Sequence, residues 1–244
     1  MNPYLQPAFA PYNPNYSQHH VYHHYPRANP DGFTTFTGTM YDSQPVPHTD
    51  TFKIVMILDE SGSMECIRES MIKAINSLIH EQSQITGRET TFTLVKFNNS
   101  VKRVIENKPL NQVKPLTPEH YKPNGSTALF DAIGDTISWF RNEKDVLMVI
   151  VTDGQENASK RFSRAMINNF IEDKQKNNSW TYVYLSNDLS TATQGDSIGC
   201  ASSRVASNCV VQQENFGDYI SSQLNSAIGN YRSQGVSVQS QLNS

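Results

Sequence analysis

Two stretches limit what this chain can fold into more than anything else in it: "TFKIVMILD" at 51–59 and "DVLMVIVTD" at 145–153. Each is a short, nearly continuous apolar run that stops at an aspartate. A strand with one face in water alternates apolar and polar side chains. A short run without alternation fits a strand covered on both faces, as in a parallel sheet flanked by helices.

The segments around these runs alternate between strand and helix periodicity. Ile67, Met71, Ile75, Leu78 and Ile79 recur at helical spacing, which predicts a helix over about 65–85 with one apolar face. "TTFTLVKF" (90–97) and "SVKRVIE" (100–106) read as a strand pair turning at Asn98-Asn99. Leu129, Phe130, Ile133, Ile137 and Phe140 outline a second helix starting near Ser126, with Trp139 and Phe140 both assigned to the core. "RFSRAMINNFIEDKQKN" predicts a helix with Phe162, Met166 and Phe170 inward, "SWTYVYLS" a strand, and Phe216, Ile220, Leu224, Ala227, Ile228 and Tyr231 a terminal helix. The order β-α-β-β-α-β-α-β gives an α/β fold with a mostly parallel sheet.

Composition sets this domain, residues 50–235, apart from its flanks. Residues 1–49 hold eight of the 12 prolines, six of the 11 tyrosines and five of the seven histidines, but Arg27 alone of basic residues. Without an apolar stripe they cannot bury enough surface to offset ordering entropy, so they read as an extended tail. His19, His20, His23 and His24 ("HHVYHH") are metal-ligand types with no scaffold to fix their geometry, and read as low-complexity sequence. Residues 236–244 read as a short polar tail.

Bulk chemistry narrows the partners. A net charge of −3 without a dense run of Lys and Arg disfavours nucleic acid and anionic lipid. No apolar run reaches the roughly 18–20 residues that span a bilayer, and the N-terminus lacks the basic and apolar regions of a signal peptide. Three cysteines without CxxC spacing suit free thiols in a reducing interior. The expected location is therefore intracellular, in the cytoplasm or within a virion or large assembly.

The chemistry concentrates where the apolar runs end. In open α/β sheets, ligands sit beyond the carboxyl ends of the strands, where strand order reverses. "ILDESGSM" (57–64) supplies Asp59, Ser61 and Ser63 at alternate positions, with Gly62 read as the bend; "VTDGQEN" supplies Asp153; "NGSTALFDA" places Thr127 at a helix start. If the three loops converge, two carboxylates and three hydroxyls form an oxygen-only set. Such a set suits Mg²⁺, with Mn²⁺ or Ca²⁺ as alternatives, and disfavours Zn²⁺.

Competing readings explain less. Ser63 as a helix N-cap leaves Asp153 and Thr127 unexplained. A serine nucleophile lacks a base, since no His lies in these loops. An aspartyl nucleophile lacks a second carboxylate two residues on, where Ser61 stands, and no Gly-rich loop with Lys cradles a phosphate. The chain is therefore expected not to be an enzyme. Glu60 and Glu156 read as solvated neighbours, Asp131 as a dipole or capping contact, and His80 and His120 as ordinary helix and loop residues.

"DESGS", "GSTALFDAIG" and "VTDGQEN" resemble the three segments of the metal-ion-dependent adhesion site of von Willebrand factor type A domains, and the resemblance covers about 52–235. It implies a Rossmann-like, doubly wound sheet with helices on both faces and one antiparallel edge strand. It also implies Mg²⁺ held by Ser61, Ser63 and Thr127, directly or through water, with Asp59 and Asp153 acting largely through bridging waters. The family's recurrent activity is to bind the carboxylate of a partner protein's Glu or Asp at the open metal position. "PLTPEHYKPNGSTALFDAIG" and "VIVTDGQENAS" look like stand-alone intracellular or microbial members. The alternative expectation is a structural or assembly protein whose N-terminal tail laces neighbouring subunits.

Overall fold

A computed structural model describes residues 51–186, 194, 195, 197, 198, 205–210, 216–235 and 238–242. The expected tail at 1–49 lies outside the described residues. The elements run β1 (Phe52–Asp59), a 3₁₀ segment (Gly62–Ile67), α1 (Arg68–Gln84), β2 (Thr90–Phe97), β3 (Val101–Pro109), α2 (Leu129–Trp139), β4 (Val146–Val151), α3 (Arg164–Asn178), β5 (Thr181–Ser186) and β6 (Val205–Val210). They continue as α4 (Phe216–Tyr219), a π-helical turn (Ile220–Leu224), α5 (Asn225–Gln234) and α6 (Val238–Leu242).

The strands form one sheet in the order β3-β2-β1-β4-β5-β6, in which only β3 runs antiparallel. The apolar runs of β1 and β4 are central and adjacent, with Leu58 beside Val151. Successive side chains of a strand point to opposite faces, and the core divides accordingly. Ile54, Met56 and Leu58 pack with α1 and the C-terminal helices, whereas Val55 and Ile57 pack with α2 and α3. The doubly wound fold expected from the sequence is the fold observed.

Four details depart from the expectation. β6 ("VASNCV") carries no apolar run and no alternation, so nothing local marks it as a strand; it pairs in parallel with β5 at the sheet's edge. On α3 the inward residues are Ile167 and Ile171, with Phe162 and Phe170 packed alongside, while Met166 is 41% exposed. Trp139 is 38% exposed rather than core, and the Arg103 guanidinium covers its ring at 4.4 Å. After Gly235 ends α5 in the left-handed region, α6 returns Val238 to the core where a polar tail was expected.

Candidate metal centre

The order 3-2-1-4-5-6 reverses between β1 and β4, so a crevice opens at their carboxyl ends. Asp59 is the last residue of β1, and Thr152 and Asp153 follow the last residue of β4. Parallel register sets Thr152 beside Asp59, and the Thr152 hydroxyl donates to Asp59 Oδ2 at 2.6 Å. The chain then folds back at once: the Ser61 amide donates to Asp59 Oδ1 at 2.7 Å. Ser61 Oγ lies 3.2 Å from Ser63 Oγ, and Ser63 Oγ donates to Asp153 Oδ1 at 2.6 Å. One line of polar contacts thus joins Asp59, Ser61, Ser63 and Asp153.

Thr127 enters from the loop before α2. Its amide donates to Asn157 Oδ1, and its carbonyl accepts from the amides of Asn157 and Ala158, which ties this loop to the one after β4. Its hydroxyl faces Gly154: a Cβ built on Gly154 would stand 2.9 Å from Thr127 Oγ1 and 3.7 Å from Asp59 Oδ2. Only glycine leaves room there. The five residues singled out in the sequence therefore share one cup, with Asp59, Ser61, Thr127 and Asp153 buried and Ser63 exposed at its mouth.

Gly62, read as the bend, does not enter the left-handed region; its amide donates to the carbonyl of Gly125, which takes φ +77° in the separate loop before α2.

Side chains that the sequence reading set aside turn out to hold the cup together. Glu60 is buried, paired with Lys96 Nζ at 2.5 Å, and accepts the Lys122 amide at 2.7 Å. Tyr121, also buried, donates to the Asp59 carbonyl at 2.6 Å. Burial, with Asp59 and Asp153 nearby, pushes that hydroxyl far up and keeps it a donor. Glu156 is no solvated neighbour either: its carboxylate accepts the amides of Phe130, Ala158 and Ser159 and the Ser159 hydroxyl. Asp131 accepts the amides of Lys160, Arg161 and Phe162. Thr152 and Tyr121 had no signal in the sequence beyond their closeness to the motifs, because their roles depend on register across strands and on a distant loop.

The electrostatics are unbalanced. Asp59 is fully buried, and no Lys or Arg among the described residues pairs with it. Burial pushes its carboxyl up to about 6, against the hydrogen bonds from Thr152 and Ser61, and Asp153 adds a like charge. Two neighbouring carboxylates, three hydroxyls and neither His nor Cys form a set that fits a hard cation. Among the described residues no cluster of three or more His, Cys, Asp or Glu offers an alternative.

The profile of the von Willebrand factor type A domain matches residues 53–225, which span all three loops. The chain belongs to this family. No curated protein sequence matches it. Among solved structures it is similar to an ArnB paralogue, VWA2, from Sulfolobus acidocaldarius at 17% identity and TM-score 0.50, covering 71% of this chain and 45% of that one. The PilB minor pilin from Streptococcus sanguinis aligns at 12% identity and TM-score 0.57 over 78% of this chain and 64% of the pilin. The vWF domain of the type V pili tip protein Mfa5 from Porphyromonas gingivalis aligns at 12% identity and TM-score 0.54, over 76% and 97%. The chain thus spans about half to two thirds of the first two proteins, and at these identities the likeness is one of fold. No helix among the described residues is long and apolar enough to cross a membrane.

Proposed function

We propose that this von Willebrand factor type A domain is a metal-dependent protein-interaction module rather than an enzyme. Asp59, Ser61, Ser63, Thr127 and Asp153 hold Mg²⁺, or Mn²⁺ or Ca²⁺ in its place, and the cation supplies an electrophilic position that takes a Glu or Asp carboxylate from another protein. The observation that carries this reading is the buried, uncompensated Asp59 at the bottom of an oxygen-only cup. A dication there offsets the cost of burying two carboxylates. Two formal negative charges from the protein leave it short of charge, and a partner's carboxylate makes up the difference. The three loops hold no His to act as a base for Ser61 or Ser63, which supports binding over turnover. The chain's charge balance and the absence of an apolar span in its sequence are in keeping with a protein partner in an intracellular setting, with virion or large-assembly membership as the broader version.

The test is calorimetric titration of the full chain with MgCl₂, followed by affinity capture of partners in Mg²⁺ and in EDTA. Asp59→Ala and EDTA are each expected to abolish capture while circular dichroism stays unchanged. Capture that survives both ends the proposal.

A further inference from the structure

The cup has a neighbour. Val104, Ile105, Val113 and Leu116 line an apolar groove of about 210 Å³ between β3 and the loop that follows it, with Lys108 and Lys114 on its walls. An apolar cavity of about 150 Å³ is enough to bind benzene, so the groove has room for a branched aliphatic side chain. Val104 is the extra residue of a bulge, where Val95 faces Arg103 and Leu94 faces Ile105. The bulge leaves Val104 44% exposed.

The groove and the cup share a wall. His120 lines the groove, and its carbonyl accepts from Lys96 Nζ, which also holds Glu60. The next two residues reach the cup directly: Tyr121 bonds the Asp59 carbonyl and Lys122 bonds Glu60. The stretch joining the two sites is thus pinned at each step, and Lys122 at its cup end is exposed.

Charge on this side opposes that of the whole chain. Residues 101–125 carry five basic side chains against two acidic ones, in a protein of net charge −3. Of the two acids, Glu106 is paired with Arg103, and Glu119 does not line the groove. A wider cleft of about 830 Å³ between α1 and α4 sets Glu65, Glu69 and Asp218 against Arg68 and Lys73 and shows no such excess of basic side chains.

We propose that this groove is a second anchor for the partner bound at the cup: an extended acidic peptide segment that places an aliphatic side chain between β3 and the 113–120 loop. The proposal rests on the metal-bridged reading, in which one carboxylate of that segment sits in the cup. Lys108, Lys114 and Lys122 then face the segment's remaining acids, and the aliphatic anchor fixes which carboxylate enters.

The experiment uses a peptide library with one fixed Glu and randomised flanks, panned against the full chain in Mg²⁺. Enriched peptides are expected to carry Leu, Ile or Val at a constant offset on one side of the fixed Glu, with Asp or Glu between. Val104→Glu is expected to weaken the enriched peptides about tenfold, the scale of losing one apolar contact. Lys114→Glu is expected to slow their association about tenfold at low salt. Both positions are exposed, so neither change perturbs the core. Metal-dependent enrichment with featureless flanks, or no enrichment at all, overturns the groove proposal. The same acidic and aliphatic pattern persisting in EDTA and in Asp59→Ala leaves the groove standing and overturns the metal bridge instead. A chain that ignores the library but binds single-stranded oligonucleotide through Lys114 overturns the peptide as occupant.

Discussion

Asp59 and Asp131 are the same residue type, both buried, both at the boundary of a regular element and a loop, and they are shifted in opposite directions. At Asp131 burial pushes the carboxyl up, but the amides of Lys160, Arg161 and Phe162, with the Arg161 guanidinium, outweigh it and hold the group below the ordinary carboxylate range. At Asp59 burial wins, and the carboxyl rises to about 6 although Thr152 and Ser61 donate to it. Burial alone therefore does not tell a carboxylate satisfied within the chain from one left unbalanced. The number and charge of the donors does: Asp131 is satisfied from within the chain, and Asp59 is left short of positive charge.

The strongest way to break this comparison is to give both positions the same change. Asp131→Asn keeps the shape but loses one acceptor oxygen and the charge, and is expected to lower stability by about 2 kcal/mol in urea unfolding. Asp59→Asn removes a charge that is costly to bury, so in EDTA near pH 8 it is expected to raise stability by about 1–2 kcal/mol. Destabilisation of equal size at both sites would erase the distinction.

The pH dependence separates the two aspartates next. Asp59 has a folded pKa above its unfolded value of 3.8, so the folded state binds its proton more tightly. Its contribution is largest below that value and is lost as pH rises through about 6. Asp131 has the opposite sign: its contribution is present above 3.8 and is lost as pH falls further. Unfolding free energy in EDTA is thus expected to decline between about pH 4 and 6, and Asp59→Asn is expected to flatten that decline. Metal binding runs the other way, because protons compete for Asp59: Mg²⁺ affinity is expected to fall below about pH 6 in the same titration series.

The smallest effect expected is that of Gly154→Ala. Its Cβ would stand 2.9 Å from Thr127 Oγ1, so the hydroxyl must shift. Mg²⁺ affinity by calorimetry is expected to drop about tenfold, or 1.4 kcal/mol, with little change in thermal stability. Unchanged affinity would mean that Thr127 holds no metal.

The core of the fold and the five cup residues were legible because each rests on a local pattern. The runs in β1 and β4 lack alternation because both faces are covered. The stripe from Ile67 to Ile79 repeats because one face of α1 is covered. Asp59, Ser61 and Ser63 follow one another through a single tight loop, so their spacing carries their geometry. What the sequence hid was set by distant chain. β6 has no apolar signature and exists as a strand because β5 offers it an edge. Trp139 reads as core by periodicity yet is covered by Arg103 instead, and Met166 yields its place to Ile167 on α3.

The carboxylates show the same division most clearly. Glu60 and Glu156 look like solvated neighbours in the sequence, and Asp131 like a dipole or capping contact on its own helix. In the fold they become clamps, because amides and a lysine from separate segments arrive at hydrogen-bonding distance. The sequence by itself determined the doubly wound sheet, the loops at its switch point and the oxygen chemistry gathered there, since hydrophobic period and motif spacing act over a few residues. Only the tertiary structure decided which carboxylates are neutralised from within and which is left short of positive charge, since that balance depends on donors brought from as far as 93 residues away.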